Sequence, residues 1–361
     1  MRVLVVNAGS TSLKLRVVEA DDRVSAGESL HPSDEAGLED FVRRVGPVDA
    51  VGHRVVHGGS RFTSPALIDR PVRAALEQLN DLAPLHNPPA LQAIDDLAAR
   101  LEGVPAVACF DTAFHAGLPE EARRYALPAD WVERWGIRRY GFHGLSCAWS
   151  LARSAALLGA AAPELRLAVC HLGGGASVTA VAGGRSVDTT MGFTPTEGLV
   201  MATRSGDVDP GAMAWLAGRG VTPAEMARAL EHDSGLLALS GGATGDMRDL
   251  LARRRSGDPA AAGAVAVFVH RLAAKIAAMA AAARGLDAVV FTGGIGEHSA
   301  EVRAETAQRL RWMGVAVDAT ANGAVGDGDA DITAAGAAVS SLVVHAREEL
   351  VVASACRSLL S

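Results

Sequence analysis

The chain has 361 residues, 49% of them apolar and 21% charged, a balance that excludes a disordered chain. At roughly 150 residues per domain the length suggests two domains. Its 34 basic and 41 acidic residues leave a net charge of −7, so the composition points to no nucleic-acid partner and no anionic membrane.

Val3 to Val6 enters a strand-like run at once, without a basic leader or cleavage site, so no export signal is visible. Cys109, Cys147, Cys170 and Cys356 are dispersed and mostly lie in or beside apolar runs, which suits a reducing, cytoplasmic setting. One pattern occurs twice. Val3 to Val18 (VLVVNAGSTSLKLRVV) and Leu167 to Val181 (LAVCHLGGGASVTAV) each read strand, small glycine turn, alternating strand. The period-two alternation after each turn predicts a β-hairpin and sets both apart from a P-loop, where the glycine turn opens a helix. Two distant copies predict duplication, with one hairpin per domain.

Between the copies, Ala90 to Glu102 has helical spacing and stops at Gly103, and Val104 to Phe110 reads as a buried strand. Ala262 to Ala283 predicts a long alanine-rich helix. The wider apolar run from Pro259 is interrupted by His270, Arg271 and Lys275 and fails as a membrane span. Ala288 to Phe291 predicts a strand, Thr292 to Glu297 a glycine turn at its carboxyl end, and Val343 to Cys356 a strand end with a closing helix. The predicted domains are 1–115 and 116–349, with the helix 350–361 returning to the first.

Several short segments carry chemistry-bearing residues, each with a plainer alternative. Ser10, Thr11, Ser12 and Lys14 suit phosphate oxygens, or form an ordinary polar turn. Arg54, in HRVVHGG, is a site cation or a surface arginine. Asp111 follows an apolar strand, an address for active-site residues that also suits a helix cap. His143 lies between glycines in RYGFHGLS, and Arg204 in the polar loop TRSGDVDP; a structural histidine and a surface turn are the alternatives.

Taken together, these strings resemble the acetate kinase family, within the superfamily of acetate and sugar kinases, actin and heat-shock chaperones. The resemblance rests on VVNAGSTSLKL, VGHRVVHGG, LAPLHNPP, FDTAFH, YGFHGLS, HLGGGAS, MGFTPTEGLVMATRSGDVDPG, SGLLALSGGATGDMRDL, FTGGIGEHSAEVR and REEL. They fall in the family's order and cover nearly the whole chain outside about Arg16 to Ala50. The implied fold is α/β: two duplicated actin-like (ribonuclease H-like) domains with a nucleotide cleft between them.

The same resemblance implies the roles. Asn7 and Glu348 would hold Mg²⁺, for which Mn²⁺ can substitute, and Lys14 would contact the phosphates of ATP. Arg54 would bind the carboxylate or acyl phosphate. Asp111, His143 and Arg204 would be catalytic. His171, Leu172, Gly173, Gly174 and Gly175 would cradle phosphate. Asp246, Met247 and Arg248, with Gly294, Ile295, Gly296, Glu297 and His298, would line the adenosine site. Val56, Leu85, Phe142 and Pro195 would enclose the acetate methyl. The partners implied are acetate or a short-chain acyl phosphate and ATP or ADP, in a homodimer.

Three departures stand out. Family members have HLGNG and GIGEN where this chain has Gly174 and His298, and its 16–50 segment is shorter. A propionate or other short-chain acyl kinase and a non-catalytic nucleotide-binding member therefore stand as alternatives to acetate kinase.

Overall fold

Both predicted hairpins form, and each grows into a six-stranded mixed sheet. The computed structural model describes every residue except Ser10, Thr11 and Leu85, so the expectations placed on those three lie outside the described residues. The first sheet uses β1 (Val3–Ala8), β2 (Leu13–Val18), β3 (Val24–Leu30), β4 (Ala50–Val55), β5 (Ala66–Leu67) and β6 (Ala106–Phe110), in the order β3-β2-β1-β4-β6-β5. The second uses β7 (Leu167–Leu172), β8 (Ala176–Ala182), β9 (Arg185–Thr189), β10 (Ala288–Thr292), β11 (Ala330–Asp331) and β12 (Ser340–Val343). Reading from β9, its order is β9-β8-β7-β10-β12-β11, the first sheet's topology repeated. Pairing senses repeat as well: β1–β4–β6 and β7–β10–β12 are parallel runs, flanked by antiparallel neighbours. Even the register shift recurs, at Val17/Val18 and Ala180/Val181.

The chain divides into two units. The first comprises Met1–Ala116, Phe142–Trp149 and Arg347–Ser361, the second Gly117–Gly141 and Ser150–Ala346. Phe142–Trp149 thus joins the first unit although its chain position suggested the second. Gly144 explains why: its amide donates to the Asp111 carbonyl at 2.8 Å, tying this segment to the end of β6.

In the first unit, strand alternation sorts residues between two faces. Leu4, Val6, Leu15 and Val17 pack with Phe41 and Leu97, from the helices Glu35–Val45 and Asn87–Arg100. Val3, Val5, Ala50, Val107 and Cys109 pack with Val352, Ala353 and Cys356 of the helix Glu348–Leu360. In the second unit, the apolar helix Pro259–Ala282 is long enough to cross a membrane, yet it buries Val265, Phe268, Leu272 and Ile276 and packs on β7, β8 and β9. It is a core helix. The four cysteines are buried thiols.

The segment expected as a glycine turn after β10 is instead a short helix, Gly293–His298. The Gly293 amide donates to Glu297 Oε1 at 2.8 Å, and the buried Arg303 donates to the carbonyls of Gly296 and Glu297 at 2.9 and 2.7 Å. Those bonds pull the turn into helical form.

Gly52 on β4 is where the helix Glu348–Leu360 comes closest. A Cβ there would lie 2.4 Å from Val352 and 2.9 Å from Cys356 Sγ. Gly52→Ala should therefore destabilise the protein by about 1–3 kcal/mol through overpacking, read as a lower urea midpoint.

Candidate active site

The ends of the three parallel strands of the first sheet carry the polar residues of the first unit. Along β1, Val3, Val5 and Asn7 share a face; on β4, Ala50, Gly52 and Arg54; after β6, Val107 and Cys109 lead to Asp111. Register pairs Asn7 with Arg54, and Arg54 with Cys109. The face these rows share is the one covered by the helix that begins at Glu348. Four polar side chains therefore converge.

Arg54 is their hub. Its Nε and Nη2 form a fork on the Asp111 carboxylate at 2.9 and 2.5 Å, and its Nη1 donates to Asn7 Oδ1 at 2.9 Å. Glu348 Oε2 lies 3.6 Å from Nε. Burial opposes the guanidinium charge, but the Asp111 and Glu348 carboxylates more than offset it and hold Arg54 above the ordinary arginine range. Asp111 is only 1% exposed. Lys14 faces Asn7 in register across the hairpin, with an exposed side chain.

His143 adopts φ +59°, a left-handed conformation rare for a side-chain-bearing residue. Its neighbours hold it there. A Cβ on Gly144 would sit 2.2 Å from the Asp111 carbonyl oxygen, so only glycine permits that approach. The Phe142 carbonyl accepts from buried His115 Nε2 at 2.9 Å, and the Phe142 ring meets His57 edge-on at 5.5 Å. Buried Asn87 clamps the His57 backbone, accepting from its amide and donating to its carbonyl, both at 3.1 Å. Asn87, His115 and Gly144 were present in the strings read from the sequence, but their service is to neighbouring backbone, which no residue pattern displays. Val56 and Phe142 are buried in this unit, whereas Pro195 is buried in the second.

In the second unit, Arg204 lies in a firmly tied loop. Thr203 Oγ1 donates to the Glu231 carbonyl at 2.7 Å, Asp207 Oδ1 accepts from the Gly198 amide at 2.8 Å, and Lys275 pairs with Asp207. Arg204 Nη1 donates to the Pro195 carbonyl at 3.2 Å, and burial lowers its pKa against the raising effect of Glu231. Asp209 caps the helix Pro210–Ala217, so this end of the loop is a helix start.

A cavity of about 730 Å³ in the second unit gathers Gly173, Gly174, Asp246, Met247, Arg248, Gly294, Ile295 and His298. Asp246 also caps the helix Met247–Arg255 and pairs with Arg248 at 2.6 Å, an interaction that holds its carboxyl down at about 2. Nothing lies within 4 Å of a Cβ placed on Gly174 or Gly294. His171 and Leu172 end β7, and the Gly173 amide closes the turn on the Gly175 carbonyl at 2.9 Å; these three of the expected phosphate cradle (His171, Leu172 and Gly175) are not on the cavity wall. Gly296 and Glu297 are not on it either. Gly296 is buried within the short helix, and Glu297 turns the other way, accepting from the Gly293 and Ala346 amides at 2.8 and 3.0 Å and facing His345 Nδ1 at 3.2 Å.

Burial pushes His115 down to about 4, with the Phe142 carbonyl pulling partly the other way. Its folded pKa lies below its ordinary value, so its contribution is complete above pH 6.5 and is lost as pH falls toward 4. Between pH 7.5 and 5, His115→Gln should flatten the fall in urea-unfolding free energy by about 2 kcal/mol. An unchanged slope would show that His115 does not stay neutral in the fold.

The description of the acetokinase family matches residues 37–354. An acetate kinase of Deinococcus deserti is 50% identical over 315 residues, which is 87% of this chain and 79% of that one. An acetate kinase of a Synechococcus strain is 42% identical, covering 100% of this chain and 99% of its own. Among solved structures, the Porphyromonas gingivalis acetate kinase superposes with TM-score 0.91 at 33% identity over 100% of both chains, and a Francisella tularensis propionate kinase with TM-score 0.91 at 32% identity over 98% of both. The expected pair of duplicated actin-like α/β domains is thus the fold this chain has, and the chain belongs to the acetokinase family.

Proposed function

We propose that the protein is an ATP-dependent acetate kinase, transferring the γ-phosphoryl group reversibly to acetate to give acetyl phosphate and ADP. The observation that carries this reading is the arginine fork at the strand ends: a half-buried cation held ready by Asp111, with Asn7 and Glu348 beside it. Phosphoryl transfer spreads negative charge over the equatorial oxygens, so it needs cations and positioning more than covalent help. Arg54, His143 and Arg204 supply them, and Arg54 receives the acceptor carboxylate.

Acetate is already an anion at neutral pH, so no base is required to activate it. The fork agrees with this, because both Asp111 oxygens accept from Arg54 and the carboxylate serves as an orienting anion. Val56 and Phe142, both buried, support an apolar seat for the methyl group.

Asn7 and Glu348 present hard oxygen donors, the chemistry Mg²⁺ or Mn²⁺ takes, and Mg²⁺ uses few protein carboxylates. No group of three or more His, Cys, Asp or Glu suited to a metal occurs among the described residues, so substrate phosphates and water would complete the shell. When bound, the ion neutralises charge on the transferring phosphates. Lys14 adds a point charge toward the nucleotide phosphates. The 730 Å³ cavity accommodates the adenosine of ATP. Buried cysteine thiols support a cytoplasmic location. The helix Pro210–Ala217, apolar yet without a buried residue, supports a homodimer.

The test is acyl hydroxamate formation from acetate, propionate and butyrate with ATP. Acetate should be preferred, and the absence of product from all three would reject the reading. Propionate should remain a partial substrate, since one methylene is worth about 1–3 kcal/mol of selectivity. In the same assay Arg204→Ala should lower kcat a hundredfold or more, about 3 kcal/mol. Arg54→Ala should chiefly raise the KM for acetate, and it should also lose stability, because it strands the buried Asp111 carboxylate.

The donor site can be tested separately. Gly174 faces open space without a left-handed φ, so an asparagine fits there without strain. Gly174→Asn combined with His298→Asn should lower the KM for ATP at nearly constant kcat, each restored hydrogen bond contributing about 0.5–1.5 kcal/mol. A native preference for pyrophosphate over ATP in the same assay would overturn the donor assignment.

A further inference from the structure

A second cavity lies wholly within the first unit, on the sheet face opposite Arg54. Its volume is about 280 Å³. Val51, His53 and Ala106 of β4 and β6 line it together with Ile94 and Leu97 of the helix Asn87–Arg100 and the half-exposed Leu67 of β5. Apart from His53, every lining side chain is aliphatic or proline.

His53 is 2% exposed, and its Nε2 has no hydrogen-bond partner among the described residues. Burial pushes the imidazole down to about 3, against a weaker opposite pull from Asp95, so the ring is neutral at physiological pH. Asp95 is itself held by Arg73 at 2.7 Å. A buried nitrogen left without a hydrogen bond is unfavourable, so something that meets it is favoured. Ordered water is a poor answer, because a buried water needs two to four polar partners and His53 is the one polar side chain among the described residues of this wall. A charged ligand is a poorer one, because no cation or anion lines the cavity to receive it.

We infer that this cavity is a binding site for a small neutral alcohol, whose hydrocarbon body fills the apolar wall and whose hydroxyl meets His53 Nε2. A hydroxyl can donate or accept, so it satisfies either tautomer of the neutral ring. The site is separate from the proposed reaction: His53 and Arg54 are consecutive on β4 and point to opposite faces of the sheet.

The experiment titrates the intact protein with cyclohexanol and, separately, with cyclohexanecarboxylate. It follows the imidazole ¹⁵N resonances by long-range ¹H–¹⁵N correlation, with His53 assigned by its loss in His53→Leu. Cyclohexanol should shift the His53 signals saturably, and the carboxylate should bind at least tenfold more weakly. His53→Leu alters the core, so the exposed cavity residue Ala98 provides a second variant. Ala98→Leu narrows the cavity from its rim and should weaken cyclohexanol binding at least fivefold while leaving the His53 signals of the free protein in place. No saturable shift of His53, equal binding of the carboxylate, or undiminished binding in Ala98→Leu would each overturn the assignment.

Discussion

Strand alternation is the constraint on which the first unit's chemistry depends. With side chains alternating strictly, three parallel strands in register must present every second residue to the same face. The inner rows are apolar and small, Val3 and Val5, Ala50 and Gly52, Val107 and Cys109, and the helix Glu348–Leu360 lies on them. One step further along each strand, the same rows continue as Asn7, Arg54 and Asp111, where the helix begins. Packing and polarity are thus set by one geometric rule, and a one-residue slip of β4 would put His53 where Arg54 now stands. The fork between Arg54 and Asp111 then fixes the end of that row, since two parallel N–H···O bonds constrain direction as well as distance.

The duplicated topology places different residues at equivalent strand ends. Position by position, Asn7, Lys14 and Arg54 of the first sheet correspond to His171, Ser177 and Thr292 of the second. The first set is rich in charge, whereas the second is followed by glycines that bring backbone and open space to the strand ends. Side-chain cations suit a small anion, and bare backbone beside a large cavity suits a bulky nucleotide. In the proposed reaction, the division of labour would follow from what stands at equivalent strand ends.

Much of this is legible in the sequence because it is written in local alternation. Both hairpins, the buried strand before Asp111 and the core helix after Pro259 follow from periodicity over a few residues. The third strands are not legible, since β3 reads VSAGESL and its weak apolar content gives no clear face. Nor is the composition of the first unit, which draws three separated segments together through contacts such as Gly144 to Asp111. Glu297 lies in the right string but faces away from the cavity, because its carboxylate is needed by two backbone amides. Asn87 and His115 act on backbone atoms at a distance in sequence, where residue identity alone carries no partner.

The helix Glu348–Leu360 also imposes an order on biosynthesis. The first sheet is made early, yet the residues that cover one of its apolar faces follow only after the whole second sheet has been synthesised. At roughly 5–20 residues per second, that face is left uncovered for some tens of seconds on each nascent chain. During that interval Val3, Val5, Ala50, Val107 and Cys109 form an adhesive surface, which is a substrate for chaperones and a hazard when ribosomes are crowded. The second unit, contiguous but for the short Phe142–Trp149 excursion, has no such wait. Covering of that face therefore comes late, after both sheets have been made.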